Sequence, residues 1–244
     1  MTKMLAFCTR NIKEMLRDKT NLLFGIGFPV IVLLLLQAIQ SNIPVEMFEI
    51  NKLTPGIAVF GLSFISLFSG VLIAKDRSSS FMLRLFASPM KSSDFIYGYT
   101  LPLIPMSLAQ VLICFLVAMI FKLTITINLL LAIAVLLPVM IVFIAIGLIC
   151  GSLLNDKQVG GICGALLTNL TAWLSDTWFD ISLVGGWFET VANALPFVHA
   201  VRASRTALSG NYGDICPDLW WTVGYAVVLT GLAIFIFTRK MNTD

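Results

Sequence analysis

Apolar residues in this chain come in long unbroken blocks instead of alternating with polar ones. Six blocks stand out, at residues 22–39, 55–74, 95–121, 128–150, 159–174 and 219–237, and none contains Lys, Arg, Asp or Glu. A helix rises about 1.5 Å per residue, so about 20 residues cross the ~30 Å hydrocarbon core of a bilayer. Each block approaches or exceeds that length; the fifth is the shortest and is rich in glycine. A soluble helix must show charge on its outer face, which these blocks cannot do. The pattern predicts an all-α membrane protein with six transmembrane helices.

Three segments between the blocks carry patterns of their own. Within residues 1–20, Leu5, Cys8, Ile12, Met15 and Leu16 recur at helical spacing, while Arg10, Lys13, Glu14 and Arg17 take the opposite side. That spacing predicts an amphipathic helix lying along the membrane interface, its basic residues toward lipid headgroups. Residues 75–94 form a connection in which Ser79 or Ser80 can cap a short helix carrying Phe81, Met82, Leu85 and Phe86, stopped by Pro89. Apolar side chains rimmed by Arg77, Arg84 and Lys91 suggest a docking knob for a protein partner. Residues 175–218 are too long for a bare connection and too polar to span. They read as two short helices divided by Pro196 and ended by Gly210, forming a partly re-entrant outer cap. Trp173, Trp178, Trp187, Trp220 and Trp221 sit at that level, where indole rings favour the headgroup zone. His199, Arg202 and Arg205 are expected there as a solvated face.

Composition agrees with this organisation. The chain of 244 residues is 58% hydrophobic and 12% charged, about half the charged fraction of a soluble domain. A net charge of +3 without a basic run excludes a nucleic-acid partner. Five scattered cysteines without a CxxC pair argue against a disulfide framework or zinc site. The first apolar block is about span-length and lacks a small-residue cleavage site, so no cleavable signal is expected.

Charge placement sets sidedness. Of the sixteen Lys and Arg, twelve fall on one side: Lys3, Arg10, Lys13, Arg17, Lys19, Lys75, Arg77, Arg84, Lys91, Lys157, Arg239 and Lys240. Lys52, Lys122, Arg202 and Arg205 fall on the other. The bias predicts both termini and the 75–94 connection in the cytoplasm of a multi-pass protein of the cell membrane.

Equally informative is the chemistry that is missing. A proton- or sodium-coupled carrier places a titratable group at membrane depth, and the strongest polar groups in these blocks are Gln37, Gln110, Thr168, Asn169 and Thr171. An intramembrane hydrolase needs a nucleophile with a base or a metal cluster, and the chain has one histidine, with no HExxH and no GxxxxGK[ST] loop. No enzyme activity, cofactor or metal is expected in the chain. A scaffold driven from its cytoplasmic side is the expectation, with a secondary transporter or channel as the less favoured class.

The order of parts resembles the ABC-2 family of ATP-binding-cassette permeases over nearly the whole chain. The basic N-terminal segment leading into RDKTNLLFGIGFPVIVLLLL (residues 17–36) is similar to the family's elbow helix and first span. FMLRLFASPMKSSDFIYG (81–98) resembles the stretch where a cytoplasmic coupling helix meets the ATPase, and GGWFETVANALPFVHAVRASRTALSG (185–210) the outer re-entrant helices. The resemblance implies an exporter with an elbow helix that includes Leu5, Arg10, Ile12, Lys13, Met15 and Arg17. It implies ATPase subunits, carrying ATP and magnesium, docked on Arg77, Phe81, Met82, Arg84, Leu85 and Phe86. A second permease copy, identical or related, would face the first and fifth spans across the transport path. Gly160 and Gly164 are its expected contact, as a GxxxG pair; Gly147 and Gly151 form another, and either pair would equally serve packing within one chain. Phe24, Phe28, Phe60 and Phe64, with Thr168 and Thr171, are the expected substrate path. Wholly uncharged spans favour a lipophilic or amphipathic substrate, such as a drug, antibiotic or antimicrobial peptide, in multidrug efflux; lipid or lipid-linked polysaccharide is the alternative.

Overall fold

A computed structural model describes residues 2–43, 45–79 and 92–241. Among them every regular element is helical. Helix α1 covers Thr2–Arg17, α2 Lys19–Asn42, α3 Ile50–Ser78, α4 Ser92–Ile120 and α5 Ile127–Leu153. A continuous helical run, α6, occupies residues 156–173. The short α7 (Ile181–Val184), α8 (Gly186–Ala194) and α9 (Pro196–Ser209) precede α10, Ile215–Met241.

Five helical stretches are long and apolar enough to cross a membrane: Lys19–Asn42, Ile50–Ser78, Ser93–Ile120, Ile127–Leu153 and Tyr212–Lys240. The helices outrun several of the apolar blocks that mark them. Helix α3 continues past Ala74 through Lys75 and Arg77, because basic residues suit the negative end of a helix dipole. The 75–94 connection is correspondingly narrower than its charge pattern predicts. All of the fifth block but Leu174 falls within α6, whose Asp156, Lys157, Gln158 and Asn169 keep it outside the five.

Helix α3 is the central post: 89% of its most apolar window is buried. Small residues bring its neighbours close. A Cβ on Gly147 would lie 2.6 Å from Ser66 O, and one on Gly151 2.7 Å from Gly70 O. The GxxxG pair of α5 therefore packs α5 on α3 within one chain. Helix α5 breaks at Leu136, just before Pro138, which cannot donate to the preceding turn. Helix α2 widens into a π turn at Leu23–Gly27, two residues short of Pro29, the missing N–H again being the cause.

Helix α6 starts with a capping box in which Asn155 and Gln158 satisfy each other's backbone N–H groups. It then runs antiparallel to α3. Val159 meets Gly70, Gly164 meets Leu67, Thr168 meets Ser63, and beyond the helix Thr177 meets Gly56. Its middle, Gly160–Leu167, is π-helical.

The outer segment is built into the bundle. Gly185 (φ 63°) and Gly186 (φ 59°) make the turn into α8, and Gly210 (φ 82°) ends α9, conformations that a side chain would strain. Helix α9 packs against α3, α5 and α10. Ala200, Ala203, Ser204 and Ala207 are buried there, and the Ser204 hydroxyl donates to Ala132 O at 3.1 Å.

Candidate functional site

Two regions gather chemistry: a charged junction at one end of the bundle, shared by α1, the last turn of α3 and the start of α4, and an aromatic cluster between α2 and α3.

The junction forms around Asp76, which is 3% exposed. Its carboxylate accepts two N–H groups from Arg10, at 2.6 and 2.8 Å, and the Tyr99 hydroxyl at 2.9 Å. Such paired charge-assisted bonds are short and directional. Asn11 donates from Nδ2 to Gly98 O at 2.9 Å, and Phe7 fills the space beside Gly98, where a Cβ would lie 2.1 Å from its ring. Burial alone would lower the Arg10 pKa, but the Asp76 carboxylate raises it above its ordinary value. Arg77 donates to Gly151 O at 2.9 Å, answering a carbonyl at the end of α5.

This placement changes the expected face of α1. Leu5, Ile12 and Leu16 are exposed, whereas Cys8 and Met15 join Phe7 and Asn11 against α4. The helix thus has three sides: a protein side, an exposed apolar side, and a charged side with Lys13, Glu14 and Arg17. The two-sided reading failed because Phe7 and Asn11 carry no periodicity that separates a protein contact from a lipid contact. Arg10, expected at headgroups, is turned into the protein by Asp76. Of the expected docking group, Phe81, Met82, Arg84, Leu85 and Phe86 lie outside the described residues, while Arg77 sits on the last turn of α3.

The aromatic cluster brings together Phe24, Phe28, Phe60 and Phe64. Ring centroids are 6.3 Å apart for Phe24–Phe28, 6.1 Å for Phe28–Phe60, 5.8 Å for Phe28–Phe64 and 5.7 Å for Phe60–Phe64. Trp178 adds an edge contact to Phe60 at 5.7 Å. Phe60 and Phe64 are buried, and Phe24 and Phe28 reach the surface, so the cluster leads from the outside of the bundle to its interior. Thr168 donates to Cys163 O at 3.0 Å and accepts from Ser63 at 3.3 Å. Thr171 is fully buried, and its hydroxyl has no partner among the described residues. Behind the cluster lies Gln110 of α4, wholly buried, with its Nε2 3.4 Å from Cys114 Sγ and no partner for Oε1.

The glycines of α6 divide. A Cβ on Gly160 would meet nothing within 4 Å, whereas one on Gly164 would meet Leu67 at 3.2 Å. Gly160 faces open space and Gly164 packs within the chain.

At the far end, Arg205 is not the solvated residue that its sequence context predicts. It donates to Lys52 O, Asp176 Oδ2 and Asp176 O, each at 2.7 Å, and ties the outer segment to α3. Burial lowers its pKa, opposed by Asp176. His199 is likewise engaged, with Nδ1 2.5 Å from Asp218 Oδ1 and Nε2 2.8 Å from Asn193 O. Both were missed because their acceptors stand far off in sequence or across a helix turn. Among the described residues no group of His, Cys, Asp or Glu could hold a metal ion.

The sequence matches the family model described as ABC-2 type transporter over residues 2–208. It is 26% identical over 194 residues to ABC transporter G family member 20 of Dictyostelium discoideum, an alignment covering 77% of this chain and 26% of that protein. The chain therefore spans about a quarter of the length of that relative. No solved structure matches it significantly.

Proposed function

This chain belongs to the ABC-2 type transporter family, and on that premise we propose that it is the membrane permease of an ATP-driven exporter of lipophilic or amphipathic molecules. The family match over residues 2–208 carries the reading. ATP is hydrolysed by a separate ATPase subunit, and two permeases, identical or related, pair to enclose the path. Charge placement supports this external drive. In the five long apolar helices, every Lys, Arg, Asp and Glu lies within about one or two turns of an end, so no proton relay crosses the middle.

In this reading α6 is a sixth crossing. Its partners move along α3 from Gly70 to Ser63 and, beyond its end, to Gly56, which at about 1.5 Å per residue is roughly 20 Å. An uneven count would put α10 on the wrong side: Asp218 meets His199 at the outer segment, while Phe237 meets Tyr99 edge-on at the junction. Six crossings place both termini and residues 79–91 together, on the cytoplasmic side of the cell membrane by the Lys/Arg bias. Helix α1 is the elbow, its exposed Leu5, Ile12 and Leu16 in the interface and Lys13 and Arg17 at headgroups. Arg77, Phe81, Met82, Arg84, Leu85 and Phe86 belong to the coupling region, and Gly160 faces the second permease.

The substrate class follows from the cluster of Phe24, Phe28, Phe60 and Phe64. Its inner rings pack on one another in an uncharged wall, favouring an apolar body over a hydrated sugar chain. Purified from its native membrane in mild detergent, the chain should bring down a protein that hydrolyses ATP, and vanadate should block efflux of a lipophilic dye from cells that express both. Efflux that persists with that protein absent would refute the reading.

A further inference from the structure

Gln110 stands where α2, α3 and α4 cross, and the crossing is shaped around it. A Cβ on Gly61 would lie 2.0 Å from Gln110 Nε2 and 2.9 Å from Pro29 Cγ. Gly61 follows Phe60 and Pro29 follows Phe28, so the amide lies directly beside the aromatic cluster. Its Oε1 is buried with no donor among the described residues. Ser69, Thr171 and Thr230 also have unpartnered buried hydroxyls, but their case differs. A hydroxyl on a helix can turn its proton to the carbonyl one turn back, as Thr100, Ser107 and Ser152 do. An amide oxygen only accepts, and exchanging Oε1 with Nε2 merely strands two N–H groups instead. Leaving such a group unmet is unfavourable, so this one calls for a partner from outside the packed chain.

We propose that Gln110 is a specificity-determining residue of the transport path: its carbonyl accepts a hydrogen bond from an N–H or O–H of a lipophilic substrate whose flat apolar body lies on Phe28, Phe60 and Phe64. This rests on the permease reading. The π turn at Leu23–Gly27 gives α2 a place to yield, and moving Pro29 off Gly61 opens the amide to the cluster. A site with an unmet acceptor discriminates strongly against an analogue lacking the donor.

The test uses the full chain in lipid nanodiscs and two dyes with one ring system. Rhodamine 123 carries N–H groups; tetramethylrhodamine methyl ester carries N-methyl groups in their place. Wild type should bind rhodamine 123 about ten-fold more tightly than the methylated dye. Gln110→Leu should remove that preference by weakening rhodamine 123 alone. The same variant should raise the Tm by about 2–4 °C, because an apolar side chain relieves the stranded amide. A lowered Tm would make the amide structural and overturn the proposal. Equal preference in wild type and Gln110→Leu would overturn it while leaving the permease reading intact. Binding of neither dye by wild type would overturn the lipophilic path, and the role of Gln110 with it.

Discussion

Asp76→Ala is expected to destabilise the chain by about 2–4 kcal/mol and to free α1 from the bundle. Removing one member of a buried ion pair leaves the other uncompensated, at about 3–5 kcal/mol when both are fully buried. Here the Asp76 side chain is 4% exposed but Arg10 is 31% exposed, so Arg10 recovers part of the loss through water and Glu14, 2.5 Å away. The Tyr99 hydroxyl, fully buried, loses its acceptor and cannot recover. For a chain of this size the loss corresponds to a Tm lower by roughly 5–15 °C, and hydrogen exchange in Thr2–Arg17 should rise with it. Asp76→Asn keeps an acceptor for Tyr99 and should lose about half as much. A Tm within about 1 °C of wild type for Asp76→Ala would mean that the junction does not hold α1.

Leu85→Asp is expected to lower ATP-dependent transport more than ten-fold while leaving the permease inserted and its Tm unchanged. Phe81, Met82, Leu85 and Phe86 recur in the sequence at the spacing of one helix face, and on the proposed docking role an apolar anchor at the centre of a protein interface would be worth at least about 2 kcal/mol, or roughly 30-fold in affinity. A buried unpaired carboxylate there costs more than truncation. ATP hydrolysis by the partner should then continue without stimulation by substrate. Normal coupling in both Leu85→Asp and Phe81→Asp would remove this segment from the drive.

What could be read from the residues depended on whether the signal was local. The apolar blocks located the long helices because a bilayer forbids charge along 20 residues, a constraint that needs no knowledge of neighbours. The ends of α8 and α9 were equally legible, since Pro196 and Gly210 act on their own backbone. Asp76 was not. In the sequence it is one unremarked charge within the 75–94 connection, and its value comes from Arg10 and Tyr99, 66 residues before it and 23 after. Arg205 is the same case, 153 residues from the Lys52 carbonyl that it meets. The phenylalanines were named through the family resemblance, and α2 and α3 do bring Phe24, Phe28, Phe60 and Phe64 together; Gln110 stood out only as a polar group unable to carry protons, because the close approach of Gly61 and Pro29 is a property of three helices at once. Glycine pairs showed a converse ambiguity: GxxxG marks close packing but not whose helix is packed, and Gly147 and Gly151 proved to serve α3.

In the five long helices every described Lys, Arg, Asp and Glu lies near an end, and the proposed reading has ATP, not an ion gradient, as the source of power. The direct measurement is uptake of a lipophilic dye into inside-out proteoliposomes holding the chain and its ATPase partner, with ionophores collapsing all gradients. Uptake should require ATP and persist at full rate with the gradients gone. Uptake driven by an imposed proton or sodium gradient without ATP would contradict the account.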